Sequence, residues 1–206
     1  MNRMNRWISR ITVAGMLIGS GASPCAADVA AGAPAQDFSL TDANGHTQSL
    51  ASYKGKYVVL EWFNPECPFV RKHYGTGNMQ ALQKEMTIKG VAWLSIDSSA
   101  PGKQGHLTPE QARVFQKEEN NAATAILLDP EGKVGRLYGA KTTPSMFVIN
   151  PQGVLIYQGA IDNNPSPDPA VIPNSKNFVK AALDEAMNGR PVTDMATKSY
   201  GCSVKY

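Results

Sequence analysis

The chain has 206 residues, of which 42% are hydrophobic and 18% are charged, a balance typical of a folded globular protein rather than a disordered one. Its net charge of +3 comes from three arginines in the first 27 residues, since the remainder carries 17 basic and 17 acidic residues. A neutral remainder without a basic cluster gives no support for nucleic-acid binding. The three cysteines are too few for a disulfide-built scaffold.

The first 27 residues have the pattern of a secretory signal peptide. Three arginines precede an apolar stretch at residues 11–22, and small residues at 25–27 fit cleavage before Asp28. A permanent membrane anchor is the alternative, but the apolar stretch is too short to span a bilayer. A lipid anchor on Cys25 is disfavoured by Pro24 directly before it. We therefore expect a periplasmic or secreted protein without stable membrane insertion.

The first half of the mature chain predicts a hairpin, a buried strand and a broken helix. Residues 37–50 read as two short strands around Asn44-Gly45, a hairpin signal. Residues 57–63 form a continuous apolar run, as in a strand that is buried on both faces. A helix follows, is interrupted near residues 75–77, and resumes over residues 78–89.

The second half continues the alternation of strands and helices. Strands are predicted at residues 91–96, 125–128, 145–149 and 154–158. A capping box at Thr108 predicts a helix to about Asn120, and Asn174 is predicted to cap a last helix that ends near residue 188. This order predicts an α/β domain over residues 28–190, with helices on both faces of a mixed sheet. Residues 191–206 form a polar tail.

Cys67 is the first candidate functional residue, because it lies just past a predicted buried strand, where the next helix begins. The positive end of the helix dipole and the free backbone N–H groups there favour the thiolate and lower the pKa of the thiol. Position alone leaves an inert buried cysteine equally open.

Two segments resemble the thioredoxin fold. Laid without gaps on the thioredoxin active-site strand and helix, Cys67 falls on the nucleophilic cysteine and Val70 on the second cysteine. Downstream, the segment KTTPSMFVI resembles the one that carries a cis proline before a central strand, here Pro144. The entry segment GAPAQDFSLTDANGHTQSL, the phrase ECPFVRKHY and the ending YGCSVKY resemble the peroxiredoxin-like, AhpC/TSA-type redoxins.

The resemblance covers residues 32–206 and implies a fold and part of a site. The implied fold is thioredoxin-like: a mixed central β-sheet flanked by helices, with an N-terminal β-hairpin and a C-terminal tail extension. Cys67 is then the nucleophile, and Glu61 is a buried acid beneath it that shuttles protons. Thr143 and Pro144 present backbone hydrogen bonds to an extended substrate.

Two departures from the family patterns bear on the chemistry. Val70 cannot resolve a mixed disulfide on Cys67, so the usual mechanism within one motif is excluded. The peroxidase pattern needs a proline and a hydroxyl residue where this chain has Leu60 and Asn64. Asn64 is a candidate hydrogen-bond donor to the substrate in place of that hydroxyl.

Cys202 is the candidate for the missing resolving thiol. It lies on a tail that lacks an apolar pattern, so we expect the tail to stay mobile and to swing onto Cys67 once that thiol has reacted. A permanent Cys67–Cys202 staple and a solitary or partner-directed thiol remain open. Arg71 is a candidate for lowering the Cys67 pKa. His73 with Cys67 is too weak a pattern to predict a metal site.

These observations predict an exported thiol oxidoreductase without a cofactor, in which Cys67 attacks and Cys202 resolves. Its partners are then a protein or small-molecule disulfide, or a hydroperoxide, and a thiol electron donor. Two alternatives remain: a true thiol peroxidase, and a non-catalytic binding module with a structural Cys67–Cys202 disulfide.

Overall fold

The computed structural model describes Met1 and residues 29–206. Its strands are β1 (Ser39–Asp42), β2 (Thr47–Ser49), β3 (Val58–Trp62), β4 (Ala92–Asp97), β5 (Ala125–Leu128), β6 (Thr142–Thr143), β7 (Ser145–Ile149), β8 (Leu155–Gly159) and β9 (Cys202–Ser203). Its α-helices are α1 (Pro68–Tyr74), α2 (Asn78–Ile88), α3 (Pro109–Glu118), α4 (Lys133–Leu137) and α5 (Phe178–Met187). The predicted signal peptide lies, apart from Met1, outside the described residues.

Seven strands form one sheet in the order β2-β1-β5-β4-β3-β7-β8. Strands β3, β4 and β5 run parallel, whereas β7 and β8 are antiparallel to each other and β7 is antiparallel to β3. The central strands β3, β4 and β7 are buried along their whole length, as their unbroken apolar runs predict. The predicted thioredoxin-like α/β fold, with its N-terminal hairpin of β1 and β2, is confirmed.

The alternation of side chains along β3 divides the core into two layers. Val58, Leu60 and Trp62 point into one layer. Val59 points into the other, which also contains Cys67 and the apolar residues of α1 and α2. Glu61 has the same parity as Val59, so its carboxyl lies in the layer of the active-site helices.

Most predicted elements form within a residue or two of their expected bounds, and two expectations are corrected. The last helix begins at Phe178, because Asn177 rather than Asn174 accepts the capping hydrogen bond from the Lys180 N–H. Asn174 instead ends a short 3-10 helix, Pro169–Asn174. Helix α4 and the short strands β6 and β9 had no recognised sequence signal.

The expectation of a mobile tail is also corrected, because residues 191–206 pack against the domain. Val192, Tyr200 and Cys202 contact one core layer, and Val204 contacts the other. The last strand, β9, pairs with β6 in a separate two-stranded sheet. Within residues 29–206, no helix is both long and apolar enough to cross a bilayer.

Candidate active site

Cys67 lies where the sequence pattern predicted, at the N-terminal cap of α1. Its carbonyl accepts the first helical hydrogen bonds, from the N–H groups of Val70 and Arg71 at 3.0 and 2.9 Å. Pro68 occupies the first helical position, where a missing N–H is harmless. The side chain of Cys67 is fully buried, so its sulfur has no direct contact with solvent.

The loop that the resemblance assigned to substrate binding does meet this cysteine. The Thr143–Pro144 peptide bond is cis, and the Cys67 thiol donates a hydrogen bond to the Thr143 carbonyl oxygen at 3.1 Å. The structure therefore brings Cys67, Thr143 and Pro144 together from segments 76 residues apart.

The tail brings Cys202 to the same point. Strand β9 runs antiparallel to β6, with Cys202 opposite Thr143 and Ser203 opposite Thr142. The N–H of Val204 donates to the Lys141 carbonyl at 3.0 Å and continues the ladder. Both Cys67 and Cys202 are free thiols. Thr143 therefore meets both cysteines: its carbonyl accepts from the Cys67 thiol, and its backbone is paired with Cys202.

The two thiols differ in acidity. Burial raises the pKa of Cys67, but the polar groups of Cys202 and the Val70 N–H outweigh burial and bring the pKa below its usual value. Burial, the hydrogen bond to Cys67 and the charge on that sulfur raise the pKa of Cys202 to about 11. Cys67 is therefore the more acidic of the two thiols.

Glu61 is fully buried and serves as the acceptor for four donors. They are the hydroxyl of Tyr74 at 2.9 Å, the Gln83 amide at 3.1 Å, the Trp93 indole at 2.8 Å and the Ser95 hydroxyl at 2.9 Å. Burial raises the pKa of Glu61, and these hydrogen bonds act in the opposite direction. None of its hydrogen bonds in the described part of the chain is with Cys67, so its role as a proton shuttle remains a prediction.

Within residues 29–206, the side chains of the two other predicted site residues form no hydrogen bond with either thiol. Asn64 is buried, and both ends of its amide are engaged: Nδ2 donates to the Gln104 carbonyl, and Oδ1 accepts from the Glu66 N–H. Arg71 is exposed and forms no ion pair among residues 29–206. The groups that lower the Cys67 pKa include Cys202 on the tail and do not include Arg71.

A buried polar cluster that the sequence did not predict lies behind α1. The Lys72 ammonium is fully buried and pairs with the Asp162 carboxylate at 3.1 Å. The Tyr200 hydroxyl donates to the other oxygen of Asp162, and Lys72 donates to the Asn164 carbonyl at 2.8 Å. No local pattern distinguishes Lys72 from the exposed lysines, because its partners are 90 or more residues away.

His73 belongs to this cluster and gives a prediction about pH. Burial lowers the pKa of His73 to about 4; the Asp162 carboxylate opposes this shift and the Lys72 charge adds to it. The unfolded chain takes up the proton near pH 6.5, so it binds more protons than the folded chain between pH 6.5 and 4. The free energy of unfolding should therefore fall by about 3 kcal/mol as the pH falls through this range.

Urea denaturation at a series of pH values measures this effect. His73→Phe removes the titrating group and should abolish this part of the acid dependence. His46→Ala is the matched control, because the His46 side chain is 74% exposed. Equal acid dependence in the wild type and His73→Phe would contradict the prediction.

The fold and the thiol pair define a class: a thioredoxin-like protein whose second cysteine comes from the C-terminal tail rather than from the active-site helix. The chain belongs to the AhpC/TSA family, whose model matches residues 31–158. The matched segment contains Cys67, Thr143 and Pro144 but ends before Cys202. The family match therefore covers Cys67 and the cis-proline loop, and not the tail thiol.

Similar proteins include a thiol-disulfide oxidoreductase and a thioredoxin-like protein. The chain is 29% identical over 132 residues to the thiol-disulfide oxidoreductase ResA of Geobacillus kaustophilus. The match covers 61% of this chain and 66% of that relative. It is 28% identical over 124 residues to the thioredoxin-like protein YneN of Bacillus subtilis, covering 60% and 68% of the two chains. A crystal structure of an uncharacterised conserved protein from Geobacillus kaustophilus superposes with a TM-score of 0.73 at 26% identity, covering 87% of this chain and 94% of the other.

Proposed function

We propose that this protein is an exported thiol-disulfide oxidoreductase in which Cys67 is the nucleophile and Cys202 the resolving thiol. The observation that carries the proposal is the placement of the two thiols: Cys67 lies at the cap of α1 against the Thr143 carbonyl, and Cys202 lies on the strand paired with that same Thr143. The pKa of Cys67 is lowered, whereas that of Cys202 is raised to about 11. In thiol–disulfide exchange, the attacking group is a thiolate, so the reaction starts at Cys67. The similarity to ResA supports the same reaction type.

The reaction consumes one substrate disulfide and yields two thiols. The Cys67 thiolate attacks one substrate sulfur, the substrate S–S bond breaks, and the departing sulfur takes up a proton. Cys202 then gives up its proton and attacks the Cys67 sulfur, which breaks the mixed disulfide and releases the second substrate thiol. The enzyme is left with a Cys67–Cys202 disulfide, which a thiol donor reduces by the reverse steps.

Exchange with disulfides is favoured over peroxide reduction because of Asn64. Its amide lies three residues before the nucleophile, where a peroxidase would hold the peroxide, yet both of its ends bond to the surrounding loop. The other position of that pattern is the buried, apolar Leu60. A sulfenic acid on Cys67, trapped by a dimedone-type probe after peroxide treatment of Cys202→Ser, would instead support the peroxidase alternative.

The decisive experiment is the redox equilibrium of the thiol pair. Reduced protein is equilibrated with mixtures of reduced and oxidised glutathione, quenched with acid, and analysed by mass. We expect a reversible Cys67–Cys202 disulfide with a reduction potential above about −300 mV, the range of labile and catalytic disulfides. A potential below that value would support the structural staple, and the absence of the disulfide would contradict the proposal.

A further inference from the structure

In this conformation the tail closes the site, which raises the question of how a substrate enters. Cys67 is fully buried, and the Thr143 edge that an extended substrate would pair with is already paired with Cys202. The inference that follows rests on the proposed function, since it concerns access of the disulfide to the Cys67 sulfur. The tail must move away before any substrate can reach that sulfur.

Two tyrosines fasten the tail on either side of Cys202. Tyr206 donates to the Ala140 carbonyl at 2.5 Å and stacks under the Arg136 guanidinium at 4.4 Å, near the surface. Tyr200 donates instead to the buried Asp162 carboxylate. A hydrogen bond to a buried charged acceptor contributes more than one between neutral groups.

The Tyr200 anchor also links the segments of both thiols. Its ring meets the Phe69 ring edge-on, with centroids 5.7 Å apart, and Phe69 is only two residues past Cys67. Tyr200 itself is two residues before Cys202. The Lys72 ammonium lies 5.5 Å from the Tyr200 ring and holds the opposite oxygen of Asp162. Tyr200 therefore connects the tail segment that carries Cys202 to α1.

We propose that Tyr200 is a positioning residue that latches the C-terminal strand over Cys67 through Asp162 and Lys72, and that opening of this latch admits the disulfide substrate. In the closed state the latch places Cys202 for resolution and excludes an extended peptide from the Thr143 edge. In the open state Cys67 and that edge are free to bind substrate. The protein thus alternates between pairing with its own tail and pairing with its substrate.

The test compares Tyr200→Phe with the wild type in the reduced protein. The substitution keeps the ring on Phe69 but removes the hydroxyl that bonds to Asp162. Alkylation of Cys67 by iodoacetamide is followed on the peptide that contains this residue. We expect it to become about ten- to a hundredfold faster, because that factor corresponds to the strength of a hydrogen bond to a charged group. Tyr57→Phe is the matched control: it removes another half-buried tyrosine hydroxyl bond, to the Ala186 carbonyl at 3.0 Å, and should leave the rate unchanged.

Two readouts distinguish a latch from a general loss of stability. With rising iodoacetamide, the alkylation rate should approach a ceiling set by tail opening, and Tyr200→Phe should raise that ceiling. Amide hydrogen exchange should accelerate in residues 199–206 while β3 and β4 keep the wild-type rate. Equal acceleration across the whole domain would overturn the latch.

A second variant covers the case in which Tyr200→Phe does not fold. Gly201 has φ +128, and a Cβ there would collide with the Thr143 carbonyl, so Gly201→Ala should also release the strand and speed alkylation. Gly139→Ala is its control, because Gly139 has φ +63 but open space around it. The inference is overturned if Tyr200→Phe folds and its Cys67 alkylation rate is unchanged. If Tyr200→Phe does not fold, an unchanged rate in Gly201→Ala overturns it. Absence of a Cys67–Cys202 disulfide in the wild type overturns the proposed function instead.

Discussion

Replacing Cys67 by Ser is expected to abolish disulfide exchange, with a fall of at least about a thousandfold in rate, because a serine hydroxyl is not ionised near neutral pH and cannot form a disulfide. Replacing Cys202 by Ser should have a different effect. Cys67 still attacks, but the mixed disulfide that results has no resolving thiol. The number of thiols released by one equivalent of oxidised glutathione therefore distinguishes the two roles.

Reduced wild-type protein should release two glutathione molecules, Cys202→Ser one, and Cys67→Ser close to none on the same timescale. The mixed disulfide in Cys202→Ser should add one glutathione to the intact mass. The double variant Val70→Cys, Cys202→Ser is the control, because it places a thiol at the second position of the local motif and should restore the release of two. Full release by Cys202→Ser alone would show that the tail thiol does not resolve the intermediate.

Replacing Glu61 by Leu is expected to lower the free energy of unfolding by at least about 4 kcal/mol, or to prevent folding. Four buried donors lose their common acceptor, and each unsatisfied donor costs about 1–3 kcal/mol. They come from α1, α2 and β4, so the carboxylate joins these elements across one core layer. Chemical denaturation followed by tryptophan fluorescence measures the change.

Glu61→Gln is the matched variant, since it retains the volume and one acceptor oxygen. It should lose less stability than Glu61→Leu and allow the proposed proton shuttle to be tested in a folded protein. If Glu61 moves protons during exchange, the pH profile of Cys67 alkylation and of exchange should shift in this variant. An unchanged profile would restrict Glu61 to holding α1, α2 and β4 together. A loss of stability in Glu61→Leu below 1 kcal/mol would contradict the prediction.

Local patterns were enough to locate one half of the site. The apolar run of β3 predicts a buried strand, and a strand that leads directly into a helix places Cys67 at the helix cap. The cis-proline loop was expected from the resemblance of the segment KTTPSMFVI to the thioredoxin fold. In both cases the informative residues are neighbours in sequence.

The other half depends on contacts between distant segments. The tail has the two-residue period of a β-strand, in which small or polar residues alternate with Tyr200, Cys202, Val204 and Tyr206. The overall polar composition of the tail made this period hard to recognise. The burial of Lys72 follows from Asp162, 90 residues later, and no local rule pairs them. Arg71 was expected to lower the Cys67 pKa by its charge, whereas the docked tail brings Cys202 to that thiol instead.

The docking of Cys202 against Cys67 in the reduced state also connects oxidation to resistance against unfolding. The disulfide has one equilibrium constant of formation in the folded chain and another in the unfolded chain. By a thermodynamic cycle, the ratio of these two constants equals the factor by which the disulfide raises the folding equilibrium constant. Cross-linking residues 67 and 202 closes a loop that the chain-entropy model values at about 5 kcal/mol. The difference in melting temperature between the oxidised and reduced protein therefore measures the effective concentration of the Cys202 thiol around the Cys67 thiol in the folded chain. A heat-denaturation curve recorded in each redox state would report how closely the folded chain holds its two sulfurs.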